Sequence, residues 1–205
     1  MEFCLNRSGE AVVLPDAVLE LARDHASSVA NPNELVTLAC AVAICPPSDG
    51  VVVEIGTYQG RTACFLGRLL RLLGRTAPVL SIDAFDLLEE QQGNVRGNHA
   101  EYQKNVSAYH LERICMALSG LSDAAARLVP ERVSVLVVDG GHTYEVVGRD
   151  LALYAHKVVP GGVIFIDDYS PAFPGVVRAA DEFLQDRADV EVLHRTRNLL
   201  VRRLR

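Results

Sequence analysis

The apolar positions of this chain alternate between two periods. Short β-branched runs recur at residues 51–55, 78–82, 113–118, 133–138 and 163–166, and read as strands buried on both faces. Between them, apolar spacings of three and four predict helices over 62–73, 102–109, 123–128, 144–156 and 176–185. In the fourth of these, Val147, Leu151, Tyr154 and Val158 share a face. Two more helices precede the first strand: 14–26, opened by Pro15-Asp16, and 33–44, capped by Asn33 and stopped at Pro46-Pro47. They form a cover over the alternating unit rather than part of it. Two short strands, 190–194 and 199–203, end the chain. Too few residues join them for a parallel crossover, so they make an antiparallel hairpin.

The pattern predicts one α/β domain with a seven-stranded, mainly parallel sheet and helices on both faces. Residues 1–50 are its N-terminal helical cover and 51–205 its core. The polar stretch 89–99 holds Gly93, Asn94, Gly97 and Asn98 and reads as a mobile loop, of a length that often serves as a lid.

Composition narrows the function classes. Apolar residues make up 49% of the 205 and charged ones 22%, the balance of a globular domain. A net charge of −6 argues against nucleic acid, because no basic patch would neutralise phosphates. Arg195, Arg197, Arg202, Arg203 and Arg205 alternate with apolar residues and read as a solvated strand face. Cys4, Cys40, Cys45, Cys64 and Cys115 are odd in number and scattered among apolar neighbours, as expected of buried, reduced thiols in a cytoplasmic protein. No leader pattern opens the chain, and no apolar run reaches the roughly 18 residues of a membrane span.

Glu54, Asp83, Asp139 and the pair Asp167-Asp168 each end an apolar run. In an open α/β sheet, ligands bind beyond the carboxyl ends of the strands. Singly, each acid also reads as a cap or turn residue; together they predict a shared site. The first run, Val51-Val-Val-Glu-Ile-Gly-Thr-Tyr-Gln-Gly60, is a strand followed by a turn and a helix. Gly56 and Gly60 permit positive φ and a close ligand approach, and the free N–H groups of the next helix face the turn. Asp83 suits the two ribose hydroxyls of a nucleoside, in NAD or in S-adenosylmethionine alike. The E-x-G-x-x-x-G spacing lacks the third glycine of a dinucleotide turn. Glu54 would repel a pyrophosphate and suits the sulfonium and ammonium of S-adenosylmethionine.

Asp139, Asp167 and Asp168 make a second constellation, whose oxygens suit one Mg²⁺. The alternative is that Asp168 caps the next turn and Asp167 alone faces the site. In Asp139-Gly-Gly-His142-Thr-Tyr, the glycines allow a tight turn and Thr143 caps the next helix, which puts His142 at the cleft mouth. There it is either a base for a substrate hydroxyl or merely exposed. His25, His99, His110, His156 and His194 lack such context and are expected at the surface.

Glu54-Ile-Gly-Thr-Tyr-Gln-Gly60, Ser81-Ile-Asp83, Asp139-Gly-Gly-His142 and Pro160-Gly-Gly-Val-Ile-Phe-Ile-Asp-Asp-Tyr169 together resemble the Rossmann-like class I S-adenosylmethionine-dependent methyltransferases. The nearest likeness is to the small natural-product O-methyltransferases, macrocin O-methyltransferase-like and cephalosporin-hydroxylase-like, and it runs from Val51 to the C-terminus. The resemblance implies a cofactor loop of Glu54, Gly56, Thr57, Tyr58 and Gly60, a ribose ligand in Asp83, an adenine-lining segment at Ser119 and Gly120, and Asp139 beside the cofactor. It further implies Mg²⁺ on Asp139, Asp167 and Asp168, His142 as base, and a small secondary-metabolite acceptor, as in antibiotic biosynthesis. Stretch 89–99 and the helices before Val51 would close over that acceptor. The apolar helix 35–44 is a candidate contact for a second subunit in a homodimer. Rival readings are a nicotinamide-dependent oxidoreductase and a non-catalytic cofactor-binding member of the fold.

Overall fold

A computed structural model of the chain describes residues 2–4, 11–26, 31–46, 50–88 and 97–205. Seven strands form the main sheet: β3 (Val51–Ile55), β4 (Val79–Asp83), β5 (Cys115–Ser119), β6 (Val133–Val138), β7 (Val158–Ile166), β8 (Val190–Arg195) and β9 (Leu199–Arg203). Their order is β5-β4-β3-β6-β7-β9-β8. The first five run parallel, and β9 enters antiparallel between β7 and β8. This is the expected mainly parallel sheet with its C-terminal antiparallel hairpin.

Alternation along each strand sends successive side chains to opposite faces. Val52, Val135, Val163 and Phe165 join one core, under helices Asp16–His25, Pro32–Ile44, Arg61–Leu72 and Asn98–Ala108. Val53, Leu136, Ile164 and Ile166 join the other, under helices Tyr144–Tyr154 and Pro174–Leu184. Both faces are therefore covered, which explains why the central strands read as unbroken apolar runs.

Several boundaries differ from expectation, each for a local reason. A two-stranded antiparallel sheet, β1 (Glu2–Cys4) with β2 (Ala11–Val13), was not foreseen, because three-residue strands carry too short a pattern. The second helix is capped by Asn31, not Asn33. Asn31 Oδ1 accepts from the backbone N–H groups of Asn33 and Glu34 while Glu34 Oε2 accepts from Asn31 N–H, and Pro32 takes the first helical position. Pro160-Gly161-Gly162 lies inside β7 as a bulge, where pairing jumps from Val133↔Val158 to Val135↔Val163. Of the expected lid, residues 89–96 lie outside the described residues, whereas Asn98 and His99 begin helix Asn98–Ala108.

His25 is buried, not superficial: it continues the stripe Val18-Leu21-Ala22 of its helix, and the Arg68 guanidinium donates to its Nε2 at 2.8 Å. Cys40, Cys45, Cys64 and Cys115 are free and buried. The apolar side chains of helix Pro32–Ile44, from Leu35 to Val42, sit mostly in the chain's own core, which removes the observation behind a homodimer contact there. Among the described residues, no helix is long and apolar enough to cross a membrane.

Candidate active site

The chain passes from β3 to β4 and β5 on one side, then returns to β6 on the other. Strand order thus reverses between β3 and β6, where such sheets open a crevice. Beyond their carboxyl ends lie two adjoining cavities of about 610 and about 700 Å³. Gly56, Tyr58, Asp139, Gly140 and His142 line both, so the two are halves of one cleft.

The turn after β3 forms one wall. Gly56 has φ +87°, and a Cβ there would lie 2.1 Å from the Asp139 carbonyl oxygen, so only glycine lets the ends of β3 and β6 meet. Gly60, at φ +78°, is the N-cap of helix Arg61–Leu72 and abuts the Tyr102 ring; it shapes the turn without lining the cleft. Glu54 lies wholly buried beneath the turn. Ser81 Oγ donates to its Oε2 at 2.9 Å, while Glu54 Oε1 and the buried Thr57 hydroxyl have no hydrogen-bond partner among the described residues. Burial pushes the Glu54 carboxyl up to about 7, against the pull of the neighbouring Thr57 and Ser81 hydroxyls.

The smaller half continues past Asp83. Its Oδ2 accepts from Tyr58 N–H at 2.8 Å and its Oδ1 from Phe85 N–H at 2.6 Å. Two backbone donors hold the carboxylate, and its remaining lone pairs accept from no other described residue. Phe85, Gly120, Leu121, Ser122 and Asp150 complete this half. Gly120 lines this half; Ser119 is exposed and does not. Ser122 and Asp150 escaped the sequence reading. Asp150 gave one signal: it falls three residues after Val147 and four before Tyr154, on the helix's buried stripe.

The larger half is acidic. Ligand atoms of Asp139, His142 and Asp168 lie within 4.8 Å of one another. Asp167 also lines this half but does not join that group; His142 stands there instead. His142 Nε2 is 2.9 Å from Asp168 Oδ2, and the His142 ring packs on Phe173 with centroids 4.4 Å apart. Asp168 holds φ +54°, a left-handed conformation uncommon outside glycine, at the point where β7 turns away. Burial and the negative charges of Asp167, Glu54, Asp168 and Glu34 drive the Asp139 carboxyl well above its ordinary range. Burial and Glu34 push Asp167 up to about 7. Such crowding leaves an uncompensated negative field that a bound cation would relieve. Arg61 and Arg197 stand at the rim.

A family profile described as Methyltransferase domain matches residues 53–169, more than half of the chain. The uncharacterized protein R132 of Acanthamoeba polyphaga mimivirus is 28% identical over 145 residues, covering 67% of this chain and 61% of that protein. The chain therefore spans about three fifths of that relative's length. Among solved structures, the O-methyltransferase NovP is 22% identical, with a TM-score of 0.72 over 98% of this chain and 91% of NovP. The O-methyltransferase from Bacillus cereus in complex with SAH is 16% identical, with a TM-score of 0.64 over 94% and 93% of the two chains. TomG from Streptomyces achromogenes, an O-methyltransferase involved in tomaymycin synthesis and solved with SAM, is 16% identical, with a TM-score of 0.62 over 95% and 92%.

Proposed function

The chain belongs to the methyltransferase-domain family, and we propose that it moves a methyl group from S-adenosylmethionine to a hydroxyl oxygen of a small acceptor. The observation that carries this reading is the single cleft, with a nucleoside-sized half around Asp83 and an acid–base half around His142 and Asp168. The methyl donor fits the residues present. Glu54 Oε1 and Thr57 Oγ1 are neighbouring buried oxygens with no close hydrogen bond among the described residues, suited to the positive charge and ammonium hydrogens of a methionine group. Asp83 offers its free lone pairs to two ribose hydroxyls.

In the transfer, the acceptor oxygen forms a bond to the methyl carbon as the carbon–sulfur bond breaks. The sulfonium becomes a neutral thioether and the hydroxyl proton leaves. His142 takes that proton; Asp168 orients the ring and stabilises the imidazolium. An in-line displacement needs alignment above all, and the rigid ends of β3 and β6 supply it. The oxygen-rich set Asp139 and Asp168, with Asp167 adjacent, fits a hard cation such as Mg²⁺. Bound there, the cation would lower the pKa of the acceptor hydroxyl. Several solved relatives are O-methyltransferases, one involved in tomaymycin synthesis, which supports a secondary-metabolite acceptor. The four buried free thiols support a reducing, cytoplasmic setting.

Isothermal calorimetry with S-adenosylhomocysteine and with NAD tests the donor. Binding of the former alone is expected; tight NAD binding without it would sink the reading. Scintillation counting of label from methyl-tritiated S-adenosylmethionine, over a panel of hydroxylated and aminated acceptors, then tests the oxygen target.

A further inference from the structure

We propose that Asp150, acting with Ser122, makes the nucleoside half of the cleft selective for a 6-amino purine over a 6-keto purine. The inference rests on S-adenosylmethionine as methyl donor and names the residues that read its base.

Asp150 is only 1% exposed, yet it lines the same cavity as Asp83 and Phe85. Its Oδ1 accepts a hydrogen bond from Ser122 Oγ at 2.5 Å. Its Oδ2 accepts none from a described residue and lies 3.8 Å from where a Cβ on Gly140 would stand, on the cleft floor. The nearest cation, Arg149, reaches toward Asp123 at 3.9 Å, and both of those side chains are about half exposed. Burial raises the Asp150 carboxyl, against the pull of the Ser122 hydroxyl and of Arg149.

Ser122 has one hydroxyl hydrogen, and Asp150 takes it. Toward the cavity these two side chains therefore show acceptors only: the Ser122 oxygen lone pairs and Asp150 Oδ2. The 6-amino group of adenine brings two N–H donors to such a wall. The 6-oxygen of hypoxanthine or guanine would set a third acceptor against these two, one of them the buried Asp150 carboxylate. Sites built on buried hydrogen bonds reject the mismatched analogue far more strongly than apolar pockets do.

Helix Tyr144–Tyr154 also fastens the Ser122 backbone, since Tyr154 Oη donates to the Ser122 carbonyl at 2.5 Å. The Asp150–Ser122 bond can anchor the same segment, so the test separates anchoring from reading. The quantity measured is the ratio of dissociation constants for S-inosylhomocysteine and S-adenosylhomocysteine, by calorimetry on the full chain. The native protein is expected to favour adenine by about tenfold or more, the worth of one hydrogen bond that one base makes and the other cannot. Asp150→Asn, whose amide donates to a 6-oxygen, should bring the ratio to about one or invert it. Ser122→Ala should lower it in the same direction, and carries the test if Asp150→Asn does not fold. Tyr154→Phe, which removes the Tyr154 anchor alone, should leave the ratio unchanged. A native protein indifferent to the base, or a ratio unmoved in both Asp150→Asn and Ser122→Ala, would overturn the proposal with the donor reading intact. Failure of the native protein to bind either thioether would overturn the donor reading itself.

Discussion

His142 and Asp168 meet Nε2 to Oδ2 at 2.9 Å, although their strands, β6 and β7, each end some residues short of them. The contact depends on the left-handed turn at Asp168 and on the two glycines before His142. An imidazole oriented by a carboxylate is the arrangement of a general base. His142→Ala should lower the turnover number by about 10²–10⁴-fold, the usual worth of such a base. Asp168→Asn should fall in the same direction. The dissociation constant for S-adenosylhomocysteine should stay within a few-fold in His142→Ala, because no ribose or ammonium contact is assigned to that ring. Unchanged turnover in His142→Ala, with the true acceptor, would remove the base assignment.

Gly56→Ala should cost both stability and ligand binding. Its Cβ would meet the Asp139 carbonyl oxygen at 2.1 Å on a backbone already at φ +87°. The strain of a non-glycine residue there is about 1–3 kcal/mol before any clash. β3 and β6 must separate to relieve the contact, and the turn moves with them. A lower melting temperature together with weaker S-adenosylhomocysteine binding is expected. Native values for both would show that the two strand ends are not so closely joined.

Glu54 links the cofactor turn to pH. Burial raises its carboxyl from an ordinary 4.5 to about 7. A raised folded-state pKa means that the folded protein holds the proton more tightly than the unfolded chain. The stability from that proton is full below 4.5 and disappears as pH rises through 7. The difference is about 3 kcal/mol at 1.36 kcal/mol per unit. Glu54→Gln cannot titrate, so its unfolding free energy should decline less than the native protein's between pH 5 and 8. The same variant should bind S-adenosylhomocysteine more weakly, because it loses the charge proposed to face the ammonium. A variant with the native pH slope would show that the fold does not hold Glu54 protonated.

The acids of this cleft were legible because they end apolar runs, and a parallel sheet aligns its carboxyl ends on one edge. Glu54, Asp83 and Asp139 all stand there, joined across strands by Gly56 N–H to Ile82 O and Asp139 N–H to Ile55 O. The glycine turn was legible for a related reason, since only glycine crosses from strand to helix at that φ. What periodicity could not give was the choice between neighbours. Asp167 and Asp168 differ by one residue, and the left-handed backbone at Asp168, invisible in the sequence, brings that side chain to His142. Periodicity does not single out Asp150, because an acid in a helix ordinarily faces solvent. Its partner Ser122 opens a short helix, Ser122–Ala125, 28 residues earlier in the chain. His25 is hidden the same way, as a polar residue on a stripe that the first core covers.

His25 should make the fold acid-labile. Burial, with Arg68 and Arg61 adding to it, lowers its pKa from 6.5 to about 4. The ring is 3% exposed, lies edge-on to Phe65, and accepts from Arg68 at 2.8 Å, so its Nε2 must stay unprotonated in the native state. A depressed folded-state pKa gives stability that is full above 6.5 and is lost as pH falls through 4. The loss comes to about 3 kcal/mol over that window. Protonation would also set a second positive charge against the Arg68 guanidinium, inside the layer that joins helix Asp16–His25 to helix Arg61–Leu72. His25→Gln keeps an acceptor for Arg68 and removes the titration. Its urea midpoint should fall less than the native one between pH 6.5 and 4, even if it starts lower at neutral pH because a smaller side chain packs against Phe65. Parallel declines in the two proteins would show that the acid sensitivity lies elsewhere, and that the bond to Arg68 yields when His25 is protonated.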